Sequence, residues 1–210
     1  MLITLAGVDG AGKSTQSKFL LEWLKSKNIE VTILDKWDIF NLDMFPECRF
    51  IQPDLDQLRE CISEMDGPAR ALFLIWSVTM TMKNFREDSS RIYISDGYWI
   101  KHLASEILYG NEEQWLLSII SHLPSSDLVL YFEIDAAETT ARKKSYTPYE
   151  CGRQVVSKQT FFTHQTKLKN LLDNWSRSMD WTIINAEQGA DDVFKILQAA
   201  VMHMIDNYHE

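Results

Sequence analysis

The chain has 210 residues, of which 45% are hydrophobic and 24% charged, the composition of an ordinary globular α/β protein. A formal charge of −9 excludes a general nucleic-acid binder, whose affinity rests on clustered Lys and Arg. No uncharged apolar stretch reaches the roughly 18 residues of a membrane span. The start lacks the basic region and cleavage site of a signal peptide. Cys48, Cys61 and Cys151 have neither disulfide-framework nor zinc spacing, so the expectation is a cytoplasmic protein with no membrane partner.

Short apolar runs alternate with amphipathic stretches along the chain. Leu2–Ala6 reads as a strand, Gly7–Lys13 as a glycine-rich turn, and Ser14–Ser26 as a helix with Phe19, Leu20, Trp23 and Leu24 on one face. Glu30–Leu34 is a second strand. Asp35–Gln52 is aromatic and acidic without a period, and Asp54–Met65 reads as a helix. Gly67-Pro68 starts a long apolar helix to Phe85, since Pro suits the first helical turn. Arg91–Ser95 is a third strand, followed by helices over Lys101–Tyr109 and Glu112–Leu123, the second with a cap at Asn111 and Gln114. Asp127–Ile134 is a strand, Ala136–Lys144 a helix and Ser145–Gly152 a polar loop. Gln154–Ser176 is a long helix, Trp181–Asn185 the last strand and Asp191–Tyr208 the closing helix. Alternating strands and helices predict a three-layer α/β fold, one domain over 1–210 with a five-stranded parallel sheet.

One motif carries specific chemistry. Gly7-Val8-Asp9-Gly10-Ala11-Gly12-Lys13-Ser14 fits G-x-x-x-x-G-K-[ST] between a strand and a helix. The glycines let backbone N–H groups turn toward a phosphate, and the helix N-terminus adds partial positive charge. Gly7, Gly10, Ala11, Gly12, Lys13, Ser14 and Thr15 form the predicted ATP-phosphate cradle. Lys13 reaches the β- and γ-phosphates and Ser14 is a ligand of Mg²⁺. No N-K-x-D guanine motif occurs in the chain, which points away from a GTPase and toward a small kinase. Asp96 ends the third strand, where ligands of such sheets sit. It is a candidate for a Mg²⁺ water or for the acceptor's proton. His102, His122, His164, His203 and His209 have no metal-ligand spacing.

Further residues resemble thymidylate kinases along nearly the whole chain. The G-V-D-G-A-G-K-S-T loop is similar to that family's form. Ala71-Leu72-Phe73 falls where the family has L-L-F before A-A-D-R, and Asp96-Gly97-Tyr98 where it has D-R-Y. Asp127-Leu128-Val129-Leu130 with Asp135 and Ala141-Arg142, then Tyr149-Glu150, then Ile183-Ile184-Asn185-Ala186, continue the likeness in order. The resemblance implies a homodimeric ATP- and Mg²⁺-dependent kinase with a lid near 143–153. It implies that Asp9 orients the acceptor and Phe73 stacks on its base. Arg142, or alternatively Arg153, neutralises the transferring phosphoryl group. Trp37, Ser77, Tyr98 and Tyr149 join Asp9 and Phe73 as candidates for the acceptor pocket.

The departures fall together. The family's R-E-P-G is Asp35-Lys36-Trp37-Asp38 here, the Arg of A-A-D-R falls at Ser77, and the Arg of D-R-Y is Gly97. In the family these arginines hold the acceptor's phosphate and read its base. A guanidinium forks two hydrogen bonds onto phosphate, which Ser and Gly do not. The expectation is a kinase for a small nucleoside- or nucleotide-sized acceptor with altered specificity. Its phosphate is either absent or held elsewhere, with Arg49 and Arg70 as candidates. A genuine dTMP kinase and a nucleotide-binding regulator without turnover are the alternatives.

Overall fold

The computed structural model describes residues 1–45, 48, 51, 55–87 and 91–208. Five strands, β1 (Leu2–Gly7), β2 (Glu30–Leu34), β3 (Arg91–Asp96), β4 (Leu128–Glu133) and β5 (Thr182–Asn185), form one sheet in the order β2-β3-β1-β4-β5. Every pairing is parallel; Leu5 lies opposite Asp96 on one side of β1 and opposite Leu130 on the other. β1 is central and buried along its whole length, as expected of a strand covered on both faces. Side-chain alternation divides its burial between two cores. Ile3 and Leu5 pack in the main cluster, whereas Leu2 joins Leu34, Tyr93, Val78 and Tyr98 in a second.

Between the strands run α1 (Lys13–Ser26), α2 (Leu55–Glu64), α3 (Gly67–Thr81), α4 (Ile100–Leu108), α5 (Glu113–Ile120), α6 (Ala136–Arg142), α7 (Lys158–Ser178) and α8 (Ala190–Tyr208). Parallel neighbours need such crossovers, and the sheet covered by helices is a three-layer α/β fold. α1 packs against α8, and α4 against α3 and α7. No helix among the described residues is long and apolar enough to cross a membrane.

The structure refines three expected elements. The long apolar helix ends at Thr81, and a short 3₁₀ turn continues through Met82–Asn84. The long helix expected from Gln154 starts at Lys158, where Ser157 and Thr160 form a reciprocal cap. Asn111 does not cap α5. Its side-chain amide donates instead to the Glu106 carbonyl and carboxylate, at 3.2 and 3.3 Å, tying the α4–α5 turn.

The aperiodic segment after β2 forms a 3₁₀ turn over Lys36–Phe40, capped by Asp35, whose carboxylate accepts from Trp37 N at 2.9 Å. A third cluster, with Ile39, Phe45, Leu58, Ile62 and Leu74 at its centre, holds this turn against α2 and α3. That cluster raises a wall beyond the carboxyl ends of β2, β3 and β1, where an open α/β sheet places its ligands.

Candidate active site

The loop leaving β1 turns back into α1 through Gly12, whose φ of 95° is left-handed. A side chain there is strained, so glycine suits the step that aims the N-terminus of α1 at the loop's hollow. A pocket of about 400 Å³ opens there, lined by Asp9, Gly10, Gly12, Lys13, Ser14, Thr15, Arg142 and Lys143. Lys13 is 9% exposed, and its Nζ donates to Val8 O at 2.8 Å across the loop. Burial pushes its pKa down, while the charges of Asp96 and Asp9 oppose the shift.

A larger cavity of about 780 Å³ adjoins this pocket and shares Asp9, Lys13 and Ser14 with it. β3 delivers Asp96, whose Oδ2 accepts a short hydrogen bond from Ser14 Oγ. The turn after β2 delivers Lys36 and Trp37, α2 delivers Arg59, and the first turn of α4 delivers Lys101 and His102. Thr147, Pro148, Tyr149 and Glu150 close one side.

Charge dominates this cavity. Asp9 Oδ1 pairs with Lys101 Nζ at 2.5 Å, both largely buried. Burial pushes the Asp9 carboxyl up, but Lys101 and Lys13 outweigh it and hold its pKa down at about 2. Asp9 Oδ2 is buried without a hydrogen-bond partner. Lys36 Nζ lies 2.7 Å from His102 Nε2 and 4.6 Å from the Trp37 ring centre. No carboxylate of the described residues lies within 4.0 Å of Lys36 Nζ. Burial, then the neighbouring Lys101, lower the Lys36 pKa to about 7. Burial and Lys36 also push His102 well below the usual histidine range, keeping the ring neutral. His102 Nδ1 is 3.3 Å from the Tyr149 hydroxyl, which links the lysine to the loop above.

Of the residues expected around the acceptor, Asp9, Trp37 and Tyr149 are brought together in this cavity. Phe73, Ser77 and Tyr98 do not line it. Phe73 lies against Trp76, ring centres 5.7 Å apart, and packs on the third cluster. Ser77 is fully buried on the core side of α3, and its hydroxyl donates to Leu74 O at 2.8 Å. Tyr98 turns under the sheet, where its hydroxyl donates to Pro124 O at 3.0 Å and burial raises its pKa. Gly97 and Tyr98 both take left-handed backbone immediately after Asp96, φ 87° and 43°.

The lid candidates separate. Arg142 lines the smaller pocket, its guanidinium bonded to Glu138 Oε1 at 3.0 Å and to the carbonyls of Ala186 and Glu187 at 2.9 and 3.3 Å. Arg153 lines neither pocket and pairs with Asp66 at the start of α3. Lys143 lines the smaller pocket and pairs with Glu150 at 2.7 Å. Asp43 stays on an exposed turn, and Asp38 caps its own 3₁₀ turn at 3.3 Å from Asp35 N.

Arg70, a candidate replacement cation, is fully buried in a forked ion pair with Glu106, Nε–Oε1 2.8 Å and Nη2–Oε2 3.1 Å. It faces the core, not the cavity. Arg49 and His209 lie outside the described residues. Sequence reasoning did not single out Lys36, Arg59, Lys101 and His102 as a group. They come from three separate elements without a shared motif, and the one signal was Lys36 inside the segment that departs from the family pattern.

The all-parallel five-stranded sheet covered by helices is consistent with a three-layer α/β P-loop kinase fold. Comparison with known proteins gives the relatives. A thymidylate kinase of Caenorhabditis elegans is 29% identical over 201 residues, 93% of this chain and 87% of that protein. A probable thymidylate kinase of Pyrococcus horikoshii is 26% identical over 207 residues, 96% of this chain and 95% of that protein. One of Methanosphaera stadtmanae is 29% identical over 159 residues, 71% and 75% of the two chains. No family model matches. The chain is thus similar to thymidylate kinases over most of its length and is an ATP-dependent phosphotransferase.

Proposed function

We propose that this protein is a Mg²⁺- and ATP-dependent kinase that transfers a γ-phosphoryl group to a nucleoside- or nucleotide-sized acceptor. Its acceptor specificity differs from that of its thymidylate kinase relatives. The supporting observation is the junction of the two pockets at Asp9, Lys13 and Ser14. A donor phosphate on the loop and an acceptor in the larger cavity meet there in one volume, the arrangement an in-line displacement needs.

The residues fit a magnesium nucleotide. Ser14 and Asp96 already share a hydrogen bond and present hard oxygen donors. No cluster of three His, Cys, Asp or Glu side chains among the described residues could bind a metal by itself. Mg²⁺ takes waters and phosphate oxygens as its other ligands. Bound there, the metal nucleotide supplies a polarised γ-phosphoryl group.

In this reading Lys13 leaves Val8 O and neutralises the β- and γ-phosphate oxygens. The loop's N–H groups hold the phosphate chain. Lys143, at the start of the 143–153 lid of the single domain, and Arg142, the last residue of α6, border the transferring group, and Arg142 acts once its guanidinium leaves Ala186 and Glu187. Asp9, fixed by Lys101, positions the acceptor. Trp37 and Tyr149 offer it aromatic surface. The changed specificity rests on the cations of the cavity: three lysines and Arg59 line it, none of them at Ser77 or Gly97.

The test is ADP release from Mg-ATP against nucleosides and their 5′-monophosphates, dTMP included, with Lys13→Ala as blank. Acceptor-dependent release by the wild type supports a kinase. ATP binding without release on any acceptor contradicts it. Efficient turnover of dTMP above all others contradicts altered specificity.

A further inference from the structure

We infer that Lys36, oriented by His102, is the residue that holds the acceptor's anionic group in this protein, a lysine-built anion site reached by a route its relatives' arginine pattern does not use. The inference rests on the kinase reading above for the word acceptor, and on the geometry of the cavity for the rest.

Lys36 places its amino group in a confined space with no carboxylate of the described residues within 4.0 Å. Its ammonium is backed by the Trp37 ring at 4.6 Å and aimed by His102 Nε2 at 2.7 Å. The second lysine of the cavity, Lys101, is already engaged by Asp9 at 2.5 Å. Charging a buried amine that has no direct ion pair is costly, and a bound anion offsets that cost. His102 is neutral and accepts from the ammonium, so it directs one N–H and leaves the others for the ligand. Tyr149, through its contact with His102 Nδ1, ties that orientation to the loop of 145–152.

The chemistry beside Lys36 selects the anion. Asp9 is held by Lys101 Nζ at 2.5 Å, a contact that favours its ionised form. A phosphate monoester needs no base, because its attacking oxygen is already deprotonated. That oxygen forms the new bond to the γ-phosphorus while the bond from the γ-phosphorus to the β,γ-bridging oxygen breaks. The bond electrons leave with ADP, no proton changes hands, and the acceptor becomes a diphosphate. Lys36 is the residue that discriminates the monoester from its unphosphorylated parent.

The experiment is calorimetric binding of dTMP, dUMP, dCMP, dAMP and dGMP, each against its own nucleoside. It uses the wild type, Lys36→Met and Lys36→Arg, with ATP affinity as the check on folding. The wild type is expected to bind at least one monophosphate about 10- to 100-fold more tightly than its nucleoside, the range of one charge-assisted contact. Lys36→Met abolishes that preference with nucleoside and ATP affinity kept, and Lys36→Arg restores part of it. His102→Leu raises the KM for that monophosphate with kcat retained, and His102→Gln, which still accepts from the ammonium, raises it less. A wild type without monophosphate preference, or a preference that survives in Lys36→Met, overturns the inference. A Lys36-dependent preference without ADP release leaves the anion site standing and removes the kinase reading. ADP release with nucleosides alone does the reverse.

Discussion

Replacing Glu106 by Gln isolates what Arg70 does. The two side chains are 0% and 1% exposed and joined by two bonds of 2.8 and 3.1 Å. The guanidinium also lies 4.1 Å from the Tyr109 ring. Burial pushes the Glu106 pKa up and Arg70 opposes the shift. Gln keeps the shape but leaves a buried guanidinium without its counter-charge, which costs about 3–5 kcal/mol. A chain of this length loses about 2–4 °C of Tm per kcal/mol, so the expected drop is about 6–20 °C. Urea unfolding at pH 7 reads the same loss as a lower midpoint at unchanged slope. The double variant Arg70→Met, Glu106→Leu recovers most of it, since an apolar pair of similar volume needs no compensation. Below the transition, ligand affinity stays within about 2-fold, because neither Arg70 nor Glu106 lines the cavity. A loss under about 1 kcal/mol refutes this reasoning, as does an affinity loss without a stability loss, which would make Arg70 a ligand-binding cation.

Four other outcomes are expected. Lys13→Ala lowers kcat by about 10²-fold or more with the fold intact, read by coupled ADP release and circular dichroism. Anion binding at pH 8 takes up close to one proton. Lys36, with its pKa near 7 among Lys101, Asp35, Asp9, Arg59 and His102, is mostly neutral before binding and charged after it; calorimetry in buffers of different ionisation enthalpy measures this, and Lys36→Met loses it. Stability falls as pH drops from about 6.5 toward 4. Burial and Lys101 lower the His164 pKa to about 4, so the unfolded chain binds the extra proton across that window; His164→Gln flattens that part of a urea-midpoint profile. Gly97→Arg costs about 1–2 kcal/mol, because φ is 87° there although a Cβ meets no atom within 4 Å; thermal unfolding checks it.

The parts legible in the sequence were those written locally. β2 occupies the stretch expected of it, and the other strands differ by a residue or so at their ends, because short apolar runs between helices admit one arrangement. The glycine-rich turn was legible because its glycines are dictated by backbone geometry, as at Gly12. The cavity was less so. Ser77 and Tyr98 stand where a family pattern puts pocket residues, yet a helix face buries one and the left-handed turn at Gly97 removes the other. Lys36, Arg59, Lys101 and His102 meet only after β2, α2 and α4 are assembled around the sheet. Nor does any local pattern pair Arg70 with Glu106, 36 positions away. Local propensity says nothing about such pairs; packing decides them.

The most direct test follows the phosphorus itself. ³¹P NMR of Mg-ATP with the wild type and each monophosphate–nucleoside pair distinguishes transfer from hydrolysis. The account predicts new diphosphate signals of the acceptor together with ADP, absent in Lys13→Ala. ADP with inorganic phosphate alone, or unchanged ATP with every acceptor, contradicts it.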